Sequence, residues 1–216
     1  MPPNDAAIVF DFDGVLLDSE AAWTRAETTL FARYRKAYGP DDKRLLIGGS
    51  LAKTGRALER LLGGGRTAAQ LAEELIELAA EEFARGVEPM PGALGLIEEL
   101  RGRRPIAVAS NSERRLVDLA LGGSGLAEAF DVVLAGDEVP NPKPAPDLYL
   151  EACRRLGIPP HAATAIEDSP TGAAAARAAG LFVIGIPYFP DLEVEADLVG
   201  RSLEDPAVRR ALGLRP

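Results

Sequence analysis

The residues best suited to chemistry are polar ones that directly follow short apolar runs. Asp11 and Asp13 come after the first of these runs, and Gly14 lets the chain turn so that both carboxylates can face one ligand. Carboxylates serve as nucleophiles, as acid–base groups and as ligands of Mg²⁺. Further candidates, at the ends of later apolar runs or in a proline-rich loop, are Ser110, Asn111, Lys143, Glu167 and Asp168.

A bound divalent cation would relieve the crowding of these acidic groups. Asp11 and Asp168 would supply two carboxylates from neighbouring strands, as hard oxygen ligands for Mg²⁺. Lys143 would balance the remaining negative charge. It lies between Pro142 and Pro144, which restrict the backbone and fix the direction of the ammonium group. The sequence therefore predicts a magnesium site with a lysine beside it.

Alternating strand and helix patterns would position these residues. The predicted strands are 6–10, 105–109, 131–135, 163–166 and 182–186. The helices predicted from residue 87 onward are 94–100, 116–121, 146–156, 171–179 and 202–214. Such alternation predicts an α/β fold with a doubly wound, Rossmann-like parallel sheet. Sites in sheets of this kind lie beyond the carboxyl ends of the strands.

The segment between the first two strands has a different pattern. Residues 19–86 carry leucines at helical spacing and no strand pattern, and Gly63, Gly64 and Gly65 indicate a turn between two helices. We expect a helical cap domain at 19–86, inserted into an α/β catalytic core made of 1–18 and 87–216.

Composition limits the partners that the protein can have. Of the 216 residues, 47% are hydrophobic and 26% are charged, which is typical of a globular protein. The formal net charge of -9 disfavours nucleic acid as a partner. A single cysteine, Cys153, excludes an internal disulfide. No apolar run approaches the ~20 residues that span a bilayer, and the first residues lack signal-peptide features, so we expect a cytoplasmic protein without membrane contact.

Four motifs, in this order, resemble the signatures of the haloacid dehalogenase superfamily. They are Asp11-Phe12-Asp13-Gly14-Val15, Ser110-Asn111, Lys143-Pro144 and Glu167-Asp168-Ser169. The resemblance is to members with a helical cap after the first motif, such as β-phosphoglucomutase and phosphoglycolate phosphatase-like enzymes. It implies a magnesium-dependent phosphohydrolase, with residues 16–19 and 88–91 as the hinges of the cap.

The resemblance implies a catalytic role for several motif residues. Asp11 would attack phosphorus to form an aspartyl phosphate and would also bind Mg²⁺. Asp13 would act as general acid and then as general base, and its backbone carbonyl would be a metal ligand. Ser110 and Lys143 would hold the phosphoryl oxygens, and Asn111 would also bind the phosphate.

The resemblance also assigns the remaining metal ligands and a loop of the cap. Asp168 would complete the metal site, with Glu167 as a further ligand or a water-mediated neighbour. The loop Gly48-Gly49-Ser50 resembles the one through which such caps reach the substrate, so Ser50 is a candidate phosphate or substrate ligand. Dehalogenases of the superfamily lack the second aspartate of the first motif, because a halide leaving group needs no proton. Asp13 therefore favours phosphate chemistry.

We expect a monomer or weak dimer that hydrolyses a small phosphate monoester, for example a sugar phosphate. The alternative is a β-phosphoglucomutase-like isomerase that uses the same aspartyl phosphate. An ungapped alignment places Trp23 and Leu51 where that mutase has a histidine and an arginine in its cap, which argues against the alternative. A binding protein without turnover is a further alternative, but no motif residue is missing. Besides Ser50, Lys53 and Trp23 are candidates for contact with the substrate.

Some of these residues have simpler structural alternatives. Ser110 could cap a helix that begins near Glu113, and Ser169 is expected to cap the helix that follows it. Cys153 lies among apolar residues at helical spacing, so we expect it to be buried in the core.

Overall fold

The computed structural model of the chain describes residues 7–47, 50–189 and 191–215. Six parallel strands form one sheet in the order β3-β2-β1-β4-β5-β6. The strands are β1 (Ala7–Phe10), β2 (Ile106–Ala109), β3 (Val132–Leu134), β4 (Ala163–Glu167), β5 (Phe182–Gly185) and β6 (Leu198–Val199). This order confirms the doubly wound α/β fold, because the chain moves outward from the central strand β1 in two directions.

Helices fill the connections between these strands. Five of them lie between β1 and β2, and the first four are α1 (Glu20–Arg33), α2 (Pro40–Leu46), α3 (Leu51–Leu62) and α4 (Ala68–Phe83). The others are α5 (Ala93–Leu100), α6 (Arg114–Ser124), α7 (Asp147–Leu156), α8 (Pro170–Ala179) and α9 (Pro206–Ala211). No helix in the described ranges is long and apolar enough to cross a membrane.

Both faces of the sheet are buried, as the continuous apolar strands predict. Ile8 and Phe10 of β1 pack into a cluster with residues of α5, α6 and α9. Val9, which points to the opposite face, packs with residues of α7 and α8. Cys153 belongs to this second cluster with 1% of its surface exposed, which confirms its place in the core.

Two details at the C-terminal end differ from the sequence prediction. The last helix does not span 202–214 but begins at Pro206, because the Asp205 side chain caps it by accepting a hydrogen bond from the backbone of Ala207. Strand β6 was not predicted, since a strand of two residues has no readable pattern.

Helices α1 to α4 pack mainly on one another, with α4 contacting both α1 and α3. The two segments that connect them to the sheet run side by side: Leu17 pairs with Pro89 in an antiparallel bridge. The backbone N–H of Asp18 donates to Glu88 over 2.8 Å. These are the segments expected to be hinges. The division into a cap at 19–86 and a core remains a prediction.

The contact between α3 and α4 depends on Gly55. A Cβ atom at this position would collide with the carbonyl oxygen of Ala68 and would lie 3.2 Å from the Cβ atom of Ala72. Backbone atoms cannot move aside as a flexible side chain can. The absence of a side chain therefore sets how closely the two helices approach.

We predict that Gly55→Ala lowers the free energy of unfolding by about 1 to 3 kcal/mol, because the two helices must separate. The matched control is Gly95→Ala in α5, where a Cβ atom would meet nothing within 4 Å. That control should be stabilising by up to about 1 kcal/mol, from helix propensity alone. Urea denaturation of both variants measures the difference, and equal effects would contradict the close packing described here.

Candidate active site

The site forms where β1 and β4 lie next to each other in the middle of the sheet. Phe10 pairs with Ile166 in the parallel register, so Asp11 and Glu167 lie next to each other at the carboxyl ends of β1 and β4. The backbone N–H of Asp11 donates to the Ile166 carbonyl over 2.8 Å. This is the point at which the strand order reverses direction, where ligands of doubly wound sheets bind.

Lys143 joins the two acidic groups. Its side chain is 3% exposed, and its Nζ atom lies 2.6 Å from Asp11 Oδ1 and 2.6 Å from Glu167 Oε1. The hydroxyl of Tyr149 also donates to Glu167. In the described part of the chain, no hydrogen bond occupies the second oxygen of Asp11. One oxygen of this carboxylate is thus held in place while the other is available for chemistry.

Asn111 fixes the backbone that carries Lys143. Its side-chain oxygen accepts a hydrogen bond of 2.8 Å from the Lys143 N–H, and its side-chain nitrogen donates to the Lys143 carbonyl over 3.1 Å. Both ends of the amide are therefore engaged. This geometry favours a positioning role for Asn111 over the direct phosphate contact that the motif suggested.

Three carboxylates face one another beside the lysine. Oxygen atoms of Asp11, Glu167 and Asp168 lie within 4.8 Å of one another. Burial, reinforced by Glu167, raises the pKa of Asp11 to about 8. Burial and then the charge of Asp11 raise the pKa of Asp168 well above its ordinary value. Burial would by itself lower the pKa of Lys143, but Asp11 and Glu167 outweigh it and raise the pKa.

This donor set fits Mg²⁺, which prefers carboxylate oxygens and would stabilise the charged form of each acid. Three buried carboxylates against one ammonium leave an excess of negative charge for a divalent cation to balance. Gly14 leaves the space for this arrangement. It has a φ of 78°, and a Cβ atom there would lie 2.5 Å from Asp168 Oδ2.

Asp13 is held by hydroxyl groups on one side and by α1 on the other. The hydroxyls of Ser112 and Ser110 donate to its Oδ2 atom, over 2.7 Å and 3.3 Å. Ser19 and the indole N–H of Trp23 donate to its Oδ1 atom, the latter over 3.3 Å. The orientation of this carboxylate therefore depends on the position of α1 as well as on the sheet.

Asp11 and Asp13 both line a cavity of ≈ 260 Å³ between the sheet and helices α1 to α4. Trp23 lies on its wall and also packs edge-on against Phe83, with 5.6 Å between the ring centroids. The side of the cavity formed by the first four helices includes Glu20, Trp23, Glu27, Lys43, Leu46, Ile47, Leu51, Thr54, Leu75 and Ile76.

The sequence analysis missed three charged residues of this wall: Glu20, Glu27 and Lys43. Glu20 and Glu27 share the cavity-facing side of α1 with Trp23, at positions i, i+3 and i+7 of the helix. That spacing, directly after the first motif, was the signal available in the sequence. Ser112 was missed too, because the motif match ends at Asn111.

Other sequence candidates lie elsewhere. The structure does not place Ser50 on the cavity wall, where its neighbours Leu51 and Thr54 lie, and Lys53 is exposed. Gly48 and Gly49 lie outside the described residues, and the role of Ser50 stays a prediction.

Helix capping was the structural alternative for Ser110 and Ser169, and the structure shows it for Ser169 alone of the two. Ser110 does not cap α6, whose N-cap is Glu113; its fully buried hydroxyl accepts a hydrogen bond from the Ser112 N–H. Ser169 does cap α8, since its side chain accepts a hydrogen bond of 3.1 Å from Gly172.

Known proteins are similar to this chain over most of its length. Residues 8–186 match the model of a family described as haloacid dehalogenase-like hydrolase. Fructose-1-phosphate phosphatase YqaB from Escherichia coli is 32% identical over 181 residues, covering 84% of this chain and 96% of that protein. CbbY from Rhodobacter sphaeroides, solved in complex with phosphate, is 30% identical with a TM-score of 0.85, covering 97% of this chain and 99% of that one.

A second crystal structure of that CbbY, a variant in complex with xylulose-(1,5)bisphosphate, is 31% identical with a TM-score of 0.81 and covers 91% of this chain and 94% of that one. The family match spans all four motifs and nearly all of strands β1 to β5, and the relatives align over nearly their whole length. The chain belongs to the haloacid dehalogenase-like hydrolase family.

Proposed function

We propose that the protein hydrolyses a small phosphate monoester, such as a sugar phosphate, through a phosphoryl group carried on Asp11. The observation that carries this proposal is the pair of carboxylates on one cavity wall. Asp11 has one oxygen bound to Lys143 and the other available, while Asp13 is held by hydroxyl and indole donors. A nucleophile and an acid–base group thus share one site.

In the first step, the available oxygen of Asp11 attacks phosphorus and the bond to the leaving oxygen breaks. Asp13, in its protonated form, donates a proton to that leaving oxygen, so the alcohol departs neutral. Lys143 keeps Asp11 oriented and supplies positive charge beside the phosphoryl oxygens. The products of this step are the free alcohol and a phosphorylated Asp11.

In the second step, Asp13 is a carboxylate and takes a proton from a water molecule. The oxygen of that water attacks phosphorus, the bond to Asp11 breaks, and inorganic phosphate leaves. Both aspartates return to their starting protonation states, so each turnover consumes one water molecule. The four donors around Asp13 keep it facing the cavity through both steps.

Mg²⁺ would be held by Asp11 and Asp168, with Glu167 and the backbone carbonyl of Asp13 as further candidates. When bound, it screens the repulsion between the carboxylate and the phosphate and neutralises charge on the phosphoryl oxygens. The proximity of the three acidic side chains supports this assignment.

The relatives favour phosphatase over isomerase chemistry. The relative from Escherichia coli is named for fructose 1-phosphate, and the CbbY complex holds a sugar bisphosphate. A β-phosphoglucomutase-like activity has less support, because Trp23 and Leu51 occupy the cavity wall where the mutase alignment requires a histidine and an arginine. We propose that residues 19–86 act as a cap that covers this cavity and contributes the residues that select the substrate.

We predict that Asp11→Asn lowers kcat by at least about 10³-fold without loss of fold, because an amide oxygen is a poor nucleophile. Asp41→Asn is the matched control, since its side chain is 98% exposed and is not among the described ones that line the cavity. Phosphate release with Mg²⁺ and circular dichroism measure the two properties. Near-normal turnover by Asp11→Asn would exclude the proposed nucleophile.

We predict that Asp13→Asn slows the first step by about 10² to 10⁴-fold for alkyl phosphates, whose alkoxide needs a proton. The loss should be much smaller for dinitrophenyl phosphate, whose phenolate leaves unprotonated. Rapid-mixing measurement of alcohol or phenolate release reports this step alone. If both substrates lost equally, Asp13 would have a structural or metal-binding role instead.

We predict that Mg²⁺ raises the melting temperature by about 5 to 10 °C at a hundredfold excess over its Kd. The reason is that the cation relieves the repulsion between Asp11, Glu167 and Asp168. Asp168→Asn should lose most of this increment, whereas Asp41→Asn should keep it. An equal increment in all three proteins would place the cation elsewhere.

A further inference from the structure

The cavity wall formed by α1 and α2 carries its own charged cluster, formed by Glu20, Glu27 and Lys43. Glu20 and Glu27 lie on the cavity-facing side of α1, and Lys43 lies on α2 opposite them. The Nζ atom of Lys43 is 2.5 Å from Glu20 Oε2 and 3.1 Å from Glu27 Oε2. One ammonium group is thus shared by two carboxylates.

Little of this cluster is open to solvent other than through the cavity. The side chains of Lys43 and Glu20 are 14% and 12% exposed, and that of Glu27 is 5% exposed. The hydroxyl of Tyr38 donates to Glu27 as well. The cluster is therefore a fixed part of the cavity wall and not a set of mobile surface charges.

The net charge of the cluster is zero or negative. Burial raises the pKa of both Glu20 and Glu27, and Lys43 opposes this shift. With both carboxylates ionised the three groups sum to one negative charge, and with one of them protonated they sum to zero. In either state the ammonium is already matched by a carboxylate.

The rest of the wall offers no other cation. Among the described residues that line the cavity, the basic ones are Lys43 and Lys143. Lys143 is bound to Asp11 and Glu167 at the site of phosphoryl transfer. An anionic group of the substrate that contacts this part of the wall would therefore meet carboxylates, with no unpaired cation among the described lining residues to bind it. Its desolvation would not be compensated.

An uncharged group with several hydroxyls fits this wall better. Carboxylate oxygens accept hydrogen bonds from hydroxyl protons, and an ammonium donates to hydroxyl oxygens. Beside the cluster, Trp23, Leu46 and Ile76 offer apolar surface for the C–H faces of a sugar or polyol. The volume of ≈ 260 Å³ is slightly below the ~300–1,000 Å³ of pockets for drug-sized ligands, so the group must be small.

We propose that Glu20, Glu27 and Lys43 select phosphate monoesters whose leaving group is a small uncharged polyhydroxy compound, and that they reject leaving groups with a second phosphate or a carboxylate. This inference rests on the proposed phosphatase function and names its substrate class. The substrate class proposed here differs from the sugar bisphosphate that is bound in the crystal structure of the relative CbbY.

The test compares kcat/KM, with Mg²⁺, within pairs of substrates that differ in one anionic group. One pair is glucose 1-phosphate and glucose 1,6-bisphosphate; the other is ethylene glycol monophosphate and phosphoglycolate. The neutral member of each pair should be preferred at least tenfold. p-Nitrophenyl phosphate, which needs none of the polar contacts, reports phosphatase chemistry separately.

The double variant Glu20→Gln/Glu27→Gln frees the Lys43 ammonium and should shift both ratios towards the anionic member by tenfold or more. The control Glu59→Gln removes an exposed carboxylate of α3 and should leave the ratios unchanged. If the double variant does not fold, Lys43→Gln decides the matter, since it makes the wall more negative and should shift the ratios further towards the neutral member.

Different failures have different meanings. Preference of the unmodified protein for the anionic members, or ratios that do not respond to these variants, would overturn the inference while p-nitrophenyl phosphate hydrolysis kept the phosphatase function. Absence of hydrolysis of every substrate, p-nitrophenyl phosphate included, would overturn the proposed function and this inference with it.

Discussion

The buried ammonium of Lys143 is the interaction on which the site depends. A charge at 3% exposure is stable only when it is paired, and Asp11 and Glu167 each approach it at 2.6 Å. These two ion pairs also depend on Asn111, which holds the backbone of Lys143, and on Tyr149, whose hydroxyl donates to Glu167. Lys143, Asp11 and Glu167 therefore depend on one another, and Asn111 and Tyr149 hold them in position, so these residues form a single unit.

The sheet topology makes that unit possible. Asp11, Asn111 and Glu167 come from distant parts of the chain and meet because β1, β2 and β4 are neighbours whose carboxyl ends share one edge. Lys143 and Tyr149 come from the segment that follows β3. The three carboxylates outnumber the one ammonium, which leaves an excess of negative charge that Mg²⁺ is suited to balance. The same excess of negative charge disfavours an anionic substrate until a cation is present. Binding of the cation is therefore expected to raise the affinity for phosphate, and the reverse.

Helix α1 and the serine before it hold Asp13, the proposed acid–base group. This carboxylate accepts hydrogen bonds from Ser110 and Ser112 beside the sheet, and from Ser19 and Trp23 at the start of α1. A movement of α1 would therefore change the orientation of the proposed acid. The helix that carries the selecting residues Glu20 and Glu27 also positions Asp13, which couples substrate choice to proton transfer.

Much of the core could be predicted from the sequence, because apolar runs ending in Asp11, Ser110 and Glu167 identify buried parallel strands and place these residues at one edge. The sequence could not show that Asn111 binds the Lys143 backbone, since that contact depends on the path of a loop. The cluster around Lys43 could be predicted only in part, from the helical spacing of Glu20, Trp23 and Glu27. Its partners lie on a different helix, and helical spacing alone does not tell which face of α1 meets the cavity.

The central claim is that Asp11 carries the phosphoryl group, and mass spectrometry of the acid-quenched protein tests it most directly. Mixing with dinitrophenyl phosphate and Mg²⁺ makes the first step fast, so that a phosphorylated protein accumulates before water attacks. The account predicts one phosphoryl group on the peptide that contains Asp11. A stoichiometric burst of phenolate with the phosphoryl group on another residue, or with no phosphorylated protein, would contradict it.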